Sequence, residues 1–411
     1  MKKRILVAIA SLILAALILL LLPKPSPSQE TVPTTVPGIS VPTQPGSSSG
    51  TQPEDPGAVR LYCCDMQLAA LFVELASEYT AETGVEVIVY TPDEDGCQAT
   101  LQRLMQSEDP PTMFCVHSQN QLLAWRNTLL DLDGTAVSEA LVNDGLGLRV
   151  DSKLLAIPVD VDGYGLLVNA EVLALKAAMT RNNDFGSLSA LSIAVQVLAN
   201  NSVKAFPAAV PTYQDAWYLL TQEDLTDART FWDLYLDNSN KSGDPMTQFL
   251  EEKSAFYLSG TWDYDTLSGM TGTALDVMNL DILPTYSAGA MQYICSAAWC
   301  VNASARQQDM DVTLAFMEWM ICAQEDAPAP VDRLGILSPF EDAAWYGNQI
   351  EKKLRGYMAS EGAVIQWACS EADAQSLLSA LNAYSQDRTD ENWQQVLQIS
   401  EQIRAEYGYS S

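Results

Sequence analysis

Basic residues are scarce in this chain of 411: 22 lysines and arginines stand against 52 aspartates and glutamates, a formal net charge of -30. Setting residues 1–57 aside leaves 18 basic and 49 acidic residues, or -31. Such a surface repels a phosphate backbone, and no basic stripe interrupts it, so nucleic acid is excluded as a partner. Histidine is rarer still, with His117 alone, and no C-x-x-C pair occurs. That excludes the usual zinc ligand sets, and neither a metal nor a cofactor is expected. No G-x-S-x-G nucleophile turn stands beside His117, and the chain has no G-x-x-x-x-G-K-[ST] phosphate loop. The chain therefore reads as a non-enzyme, with a carboxylate pair for glycoside cleavage as the enzymatic alternative. No internal repeat emerges.

Long apolar runs are confined to one place. Ile5 to Leu22 is apolar except for Ser11, follows Lys2, Lys3 and Arg4, and would span about 27 Å as a helix. The charge bias places the rest of the chain outside the cytoplasm. No small-residue cleavage site and no lipid-accepting cysteine follows, so an uncleaved membrane anchor through residues 5–22 is favoured, with a cleaved signal peptide as the alternative. Residues 23–57 hold nine prolines among Ser, Thr, Gly and Gln, the composition of a tether. Eight cysteines lie beyond it: Cys63, Cys64, Cys97, Cys115, Cys295, Cys300, Cys322 and Cys369. An exported chain permits disulfides, but the spacing does not choose the pairing.

The folded part begins as β-α-β-α-β. Val59 to Cys64 reads as a strand, and Asp65 opens a helix whose Leu68, Leu71, Phe72, Leu75 and Tyr79 keep helical spacing to a stop at Gly84. Strand 85–90, helix 98–106 and strand 112–117 follow, an order that implies a parallel, right-handed doubly wound sheet. Further on, Asp244 and Pro245 mark a helix start. Ser254 to Leu258 reads as a strand, and residues 348–407 as about three helices. The central stretch is Leu155 to Asn169, two apolar runs around an acidic D-V-D-G-Y-G turn. Asp160, Asp162, Gly165, Leu167 and Glu171 there match positions of a calcium loop, but Tyr164 and Val168 stand where ligands are needed, and calcium is not expected.

Four segments, in order, resemble one family: A-I-P-V-D-V-D-G-Y-G-L-L-V-N-A-E-V-L at 156–173, F-L-E-E-K-S-A-F-Y-L-S-G-T-W-D at 249–263, D-I-L-P-T at 281–285, and L-A-F-M-E-W-M at 314–320 followed by G-I-L-S-P-F at 335–340. The chain resembles the bacterial extracellular solute-binding proteins of ABC importers, carbohydrate-type. The resemblance implies a two-lobed α/β periplasmic-binding-protein-like fold (type II). Lobe 1 would comprise 58–158 plus 290–333, and lobe 2 159–289 plus 334–411, with crossings near 157–162, 284–294 and 331–341. It implies a monomer at the outer face of the cytoplasmic membrane that closes by hinge bending on a sugar and meets ABC permease subunits. A tethered glycan sensor or adhesion module is the alternative. The lipid-modified cysteine of relatives is missing, and the segment 207–225 looks trimmed.

Sugar binding needs flat aromatic faces and short polar groups. By resemblance, Trp262 of G-x-W is the stacking tryptophan, and Asp162 and Tyr164 face the cleft after the first crossing. Asp65, His117 and Gln119 follow the first and third strands, and Trp299 and Trp367, the latter near the start of a late helix, are further aromatic platforms. Trp125, Trp232, Trp319 and Trp393 lie on helical stripes and read as core.

Overall fold

Apolar periodicity decides the first third of the fold. In the computed structural model, β1 (Ala58–Tyr62) leads to α1 (Met66–Thr83), whose first turn is held by Asp65 Oδ1 accepting from the Leu68 N–H at 3.1 Å. Phe72, Leu75, Ala76 and Tyr79 bury one helix face, and Gly84 ends it with φ 77°. Next come β2 (Glu86–Tyr90), α2 (Cys97–Leu104) and β3 (Met113–Val116), and the strands lie parallel in the order β2-β1-β3. The described residues are 57–93, 96–179, 187–221, 225–263, 266–267, 280–283, 292–322, 329–334, 337–341, 349–360 and 363–407. The apolar run 5–22, the linker and most of the segment 284–294 lie outside them. Among the described residues no helix is long and apolar enough to cross a membrane.

The chain continues through α3 (Gln119–Trp125), α4 (Ala136–Glu139), β4 (Leu148–Val150), β5 (Lys153–Asn169), α5 (Ala170–Ala177), α6 (Leu188–Asn200), α7 (Tyr213–Thr221), α8 (Leu225–Asp237) and α9 (Pro245–Leu250). Then follow β6 (Phe256–Gly260), β7 (Leu280–Leu283), β8 (Gln292–Val301), α10 (Gln307–Ile321), α11 (Gln349–Met358), β9 (Val364–Trp367), α12 (Glu371–Gln386) and α13 (Asp390–Tyr407). The Asp244 and Pro245 start signal holds, with Asp244 Oδ2 accepting from the Thr247 N–H at 2.8 Å.

β5 departs from expectation. The acidic stretch is no turn: residues 153–169 form one strand, because partners line it throughout. β8 pairs with it from Ile157↔Trp299 to Tyr164↔Gln292, with irregular register at Asp160, and β6 and β7 cover its second half. A carbonyl ladder satisfied by neighbours outweighs the local turn preference of Asp and Gly. β8 in turn joins β3 through Cys115↔Trp299 and β9 through Cys295↔Trp367. β5 and β8 thus run through both halves of a nine-stranded mixed sheet, the frame of a two-lobed α/β fold. The calcium-loop spacing loses its meaning on a strand, since a metal loop must curl its ligands around one point. The side chain of Asp160 lies outside what is described.

Two apolar cores flank the sheet. One gathers Val59, Phe72, Trp299, Phe316 and Met317; the larger gathers Tyr164, Phe206, Trp232, Tyr293, Leu354 and Leu377. A buried ion pair ties β1 to α10, with Arg60 donating to Asp309 Oδ2 at 2.7 Å while the Ala58 N–H and Arg306 hold the same carboxylate. Of the cysteines, Cys64 and Cys97 form a disulfide, while Cys63, Cys115, Cys300 and Cys369 remain thiols buried in the fold.

Candidate functional site

At the point where β5 passes between the halves, Tyr164 pairs with Gly260 at the end of β6, so the turn Thr261–Asp263 folds against β5. Thr261 Oγ1 accepts from the Gly163 N–H at 3.3 Å and donates to Asp162 Oδ1. Asp162 and Trp262 are both half-buried. The Trp262 indole stacks on the Tyr164 phenol with centroids 5.8 Å apart and planes 14° apart, and Trp217 of α7 meets it edge-on at 6.3 Å and 84°. Glycine is required at 260: a Cβ there would lie 2.4 Å from the Gly163 carbonyl oxygen and from the Trp262 ring.

Tyr164 itself is only 1% exposed and backs the indole instead of standing open. Its hydroxyl donates to Asp215 Oδ1 at 3.0 Å; Asp215 Oδ2 also accepts from the Thr212 N–H at 2.6 Å and the Thr212 hydroxyl at 3.0 Å. Burial pushes the Asp215 carboxyl up to about 6, partly opposed by these bonds. The Trp217 indole N–H donates to Cys369 Sγ at 3.1 Å, and burial raises that thiol to about 11.

A second group adjoins the first through the segment Trp367–Cys369. The Trp367 indole N–H donates to Gln119 Oε1 at 2.9 Å. His117, just past β3, has its backbone N–H bonded to Gln121 Oε1 at 2.9 Å and Nδ1 3.0 Å from the Ser296 carbonyl oxygen. Its Nε2 is buried with no hydrogen-bond partner among the described residues. Asp65 caps α1 at the neighbouring strand end and is exposed.

The structure therefore assembles Asp162, Tyr164 and Trp262, sets His117, Gln119 and Trp367 beside them, and leaves Asp65 at the edge. Two expectations need correction. Trp299 is 0% exposed and packs on Phe72 at 6.0 Å in the core of the first half, because its place in β8 points it at α1. Trp367 does lie just before a late helix, at the end of β9 and three residues ahead of the Ser370 cap of α12, but it is 4% exposed and does not stand open as a platform, because residues 364–367 pair with β8 inside the sheet. Sequence reasoning missed Trp217, Asp215 and Cys369, and took the segment 207–225, which holds the first two, as trimmed. The T-x-x-D signal at Thr212 and Asp215 was readable: the Thr212 hydroxyl accepts from the Asp215 N–H at 3.3 Å, a reciprocal cap on α7.

A cavity of about 560 Å³ lies among Lys176, Lys204, Lys241 and Lys253, and one of about 470 Å³ beside Glu341 and Arg355; neither includes the residues above. Lys176, at the last turn of α5, donates to the Glu252 carbonyl oxygen just past α9 at 2.8 Å.

A family model described as bacterial extracellular solute-binding protein matches residues 74–351. The chain belongs to this family. No curated protein matches the sequence. Solved structures share the fold at low identity. A family 1 extracellular solute-binding protein from Alicyclobacillus acidocaldarius is 13% identical with a TM-score of 0.63, covering 85% of this chain and 98% of its own. RafE from Streptococcus pneumoniae, in its apo form, is 13% identical with a TM-score of 0.61, covering 87% and 99%. The cyclic alpha-maltosyl-1,6-maltose binding protein from Arthrobacter globiformis is 16% identical with a TM-score of 0.58, covering 85% and 99%. This solute-binding protein thus keeps the family frame while diverging in most of its residues.

Proposed function

We propose that this solute-binding protein captures a carbohydrate between its lobes and delivers it to the permease subunits of an ABC importer, without catalysing a reaction. The observation that carries the reading is the aromatic corner at the lobe crossing: Trp262, backed by Tyr164 and edged by Trp217, beside the Asp162 carboxylate. A half-buried indole face suits the apolar side of a sugar ring, and a carboxylate suits its hydroxyls. Beside it, Gln119, held by the buried Trp367, and His117, whose Nε2 lacks a partner among the described residues, offer further polar groups, with Asp65 near the same strand ends. RafE has been solved with raffinose, and another relative of this fold is named for a maltosyl-maltose, which supports a saccharide here. The lobes would comprise 58–158 plus 290–333 and 159–289 plus 334–411, acting as a monomer outside the membrane and tethered by residues 5–22. Ligand shifts an open-to-closed population only by its preference for the closed state.

A calorimetric and thermal-shift screen of the 58–411 fragment against mono- and oligosaccharides, amino acids and peptides tests this. Saccharide binding is the expected result; binding of amino acids or peptides alone would overturn it, and turnover of any glycoside would end the non-enzyme reading.

A further inference from the structure

One carboxylate sits beneath the aromatic corner without facing any ligand. Asp215 is 3% exposed, in the first turn of α7, two residues before Trp217. It accepts from three donors on two elements: the Tyr164 hydroxyl on β5, and the N–H and hydroxyl of Thr212, which caps α7. Tyr164 backs Trp262 and α7 carries Trp217, so one side chain fixes both partners of the Trp262 ring.

We propose that Asp215 is the positioning residue of the candidate site: ionised, it holds Trp262 and Trp217 in their right-angled corner, and protonated, it releases them. The chemistry follows from counting donors and acceptors. As a carboxylate Asp215 accepts from three donors; as an acid it must place its own hydrogen on one of their oxygens, so the Tyr164 or Thr212 hydroxyl turns from donor to acceptor, its hydrogen loses its buried acceptor, and the tie weakens. Loss of the Thr212 bonds also weakens the cap of α7.

The phenols and the thiol around it stay protonated over the relevant range. Burial and the charge of Asp215 raise the phenols of Tyr164 on β5, Tyr235 on α8 and Tyr257 on β6, so all three stay neutral. Cys369, at the far side of Trp217, is a thiol for the same reason of burial. The neighbouring carboxylates Asp162 and Asp263 are held by Thr261 and by Ser259 and Tyr257. With Asp215 raised to about 6, the transition falls in mildly acid solution.

The inference rests on the corner being the binding site, not on the ligand being a sugar. The test uses the full chain labelled with 5-fluorotryptophan, resonances assigned through Trp262→Phe and Trp217→Phe, and fluorine NMR followed from pH 4.5 to 8. The Trp262 and Trp217 resonances are expected to titrate together near pH 6 while Trp299 stays fixed. Asp215→Asn should abolish the titration. Tyr164→Phe, which removes a bond that lowers the Asp215 pKa, should shift the Trp217 midpoint upward and diminish the Trp262 response. Resonances that stay still in the parent, or that titrate equally in Asp215→Asn, overturn the proposal; if Asp215→Asn does not fold, an unshifted midpoint in Tyr164→Phe does so. Raffinose added at pH 7.5 and 5 supplies the second arm: tighter binding at pH 7.5 supports the coupling, and equal affinity at the two pH values sinks it. Failure of any saccharide to bind, with the tryptophans still titrating, would refute the carbohydrate reading and leave Asp215 in its role.

Discussion

Trp262→Ala and Trp299→Ala should separate affinity from stability. Trp262 is half-buried and makes two ring contacts, one stacked on Tyr164 and one edge-on to Trp217. Such pairs contribute about 0.5–1.5 kcal/mol each, so Trp262→Ala is expected to lower unfolding free energy by about 1–3 kcal/mol. Its effect on ligand is separate: losing the platform weakens binding at least about tenfold, or about 1.4 kcal/mol. Trp299 is fully buried against Phe72, and Trp299→Ala leaves a cavity that costs about 3–5 kcal/mol. Urea unfolding followed by circular dichroism measures the stabilities, and calorimetric titration with a saccharide that binds the parent measures affinity below the unfolding transition. Unchanged affinity in Trp262→Ala would refute the site. Weakened binding in Trp299→Ala at near-parental stability would refute its assignment to the core.

Asp309 supplies a pH dependence of known sign. Burial by itself would raise its pKa, but the hydrogen bonds from Arg306, Arg60 and the Ala58 N–H together hold it at about 2, below the usual 3.8. Its contribution, on the order of 2 kcal/mol, is therefore present above pH 3.8 and is lost as pH falls through about 2. Urea midpoints between pH 6 and 2 should fall less steeply in Asp309→Asn than in the parent, and parallel slopes would count against the buried pair. Reducing Cys64–Cys97, which closes a separation of 33 residues, should destabilise the fold by about 3–4 kcal/mol on the chain-entropy account. An unfolding midpoint indifferent to a phosphine reductant would show that this bond does not restrain the unfolded chain.

Much of the fold was legible because its elements are locally encoded. The helix from Asp65 to Gly84 combines an acceptor at its start, apolar residues at helical spacing and a left-handed stop, all within one stretch of chain. Trp262 was singled out differently, by the resemblance of its G-x-W segment to the family's stacking tryptophan. Misreadings came where contacts between distant residues overrode local preference. Asp and Gly in D-V-D-G-Y-G favour a turn, yet β6 and β8, more than 90 residues away, hold them extended. At residues 364–367 the strand preference of Val364, Ile365 and Trp367 was passed over for the helical pattern on either side, and β8 pairs them as a strand. Trp217 and Trp262 meet across 45 positions, a contact that no periodicity announces.

Composition and local pattern were enough to set the acidic surface, the order of strands and helices, the family resemblance and the tryptophan of the crossing. They act through hydrophobic spacing and backbone preference, which each segment carries alone. Sheet order and register decided the rest: that Trp299 is core and Trp262 half-open, that Cys64 joins Cys97, and that Asp215 lies beneath the aromatic corner. These depend on burial and on which donors and rings share one place, and only the assembled sheet brings residues so far apart into contact.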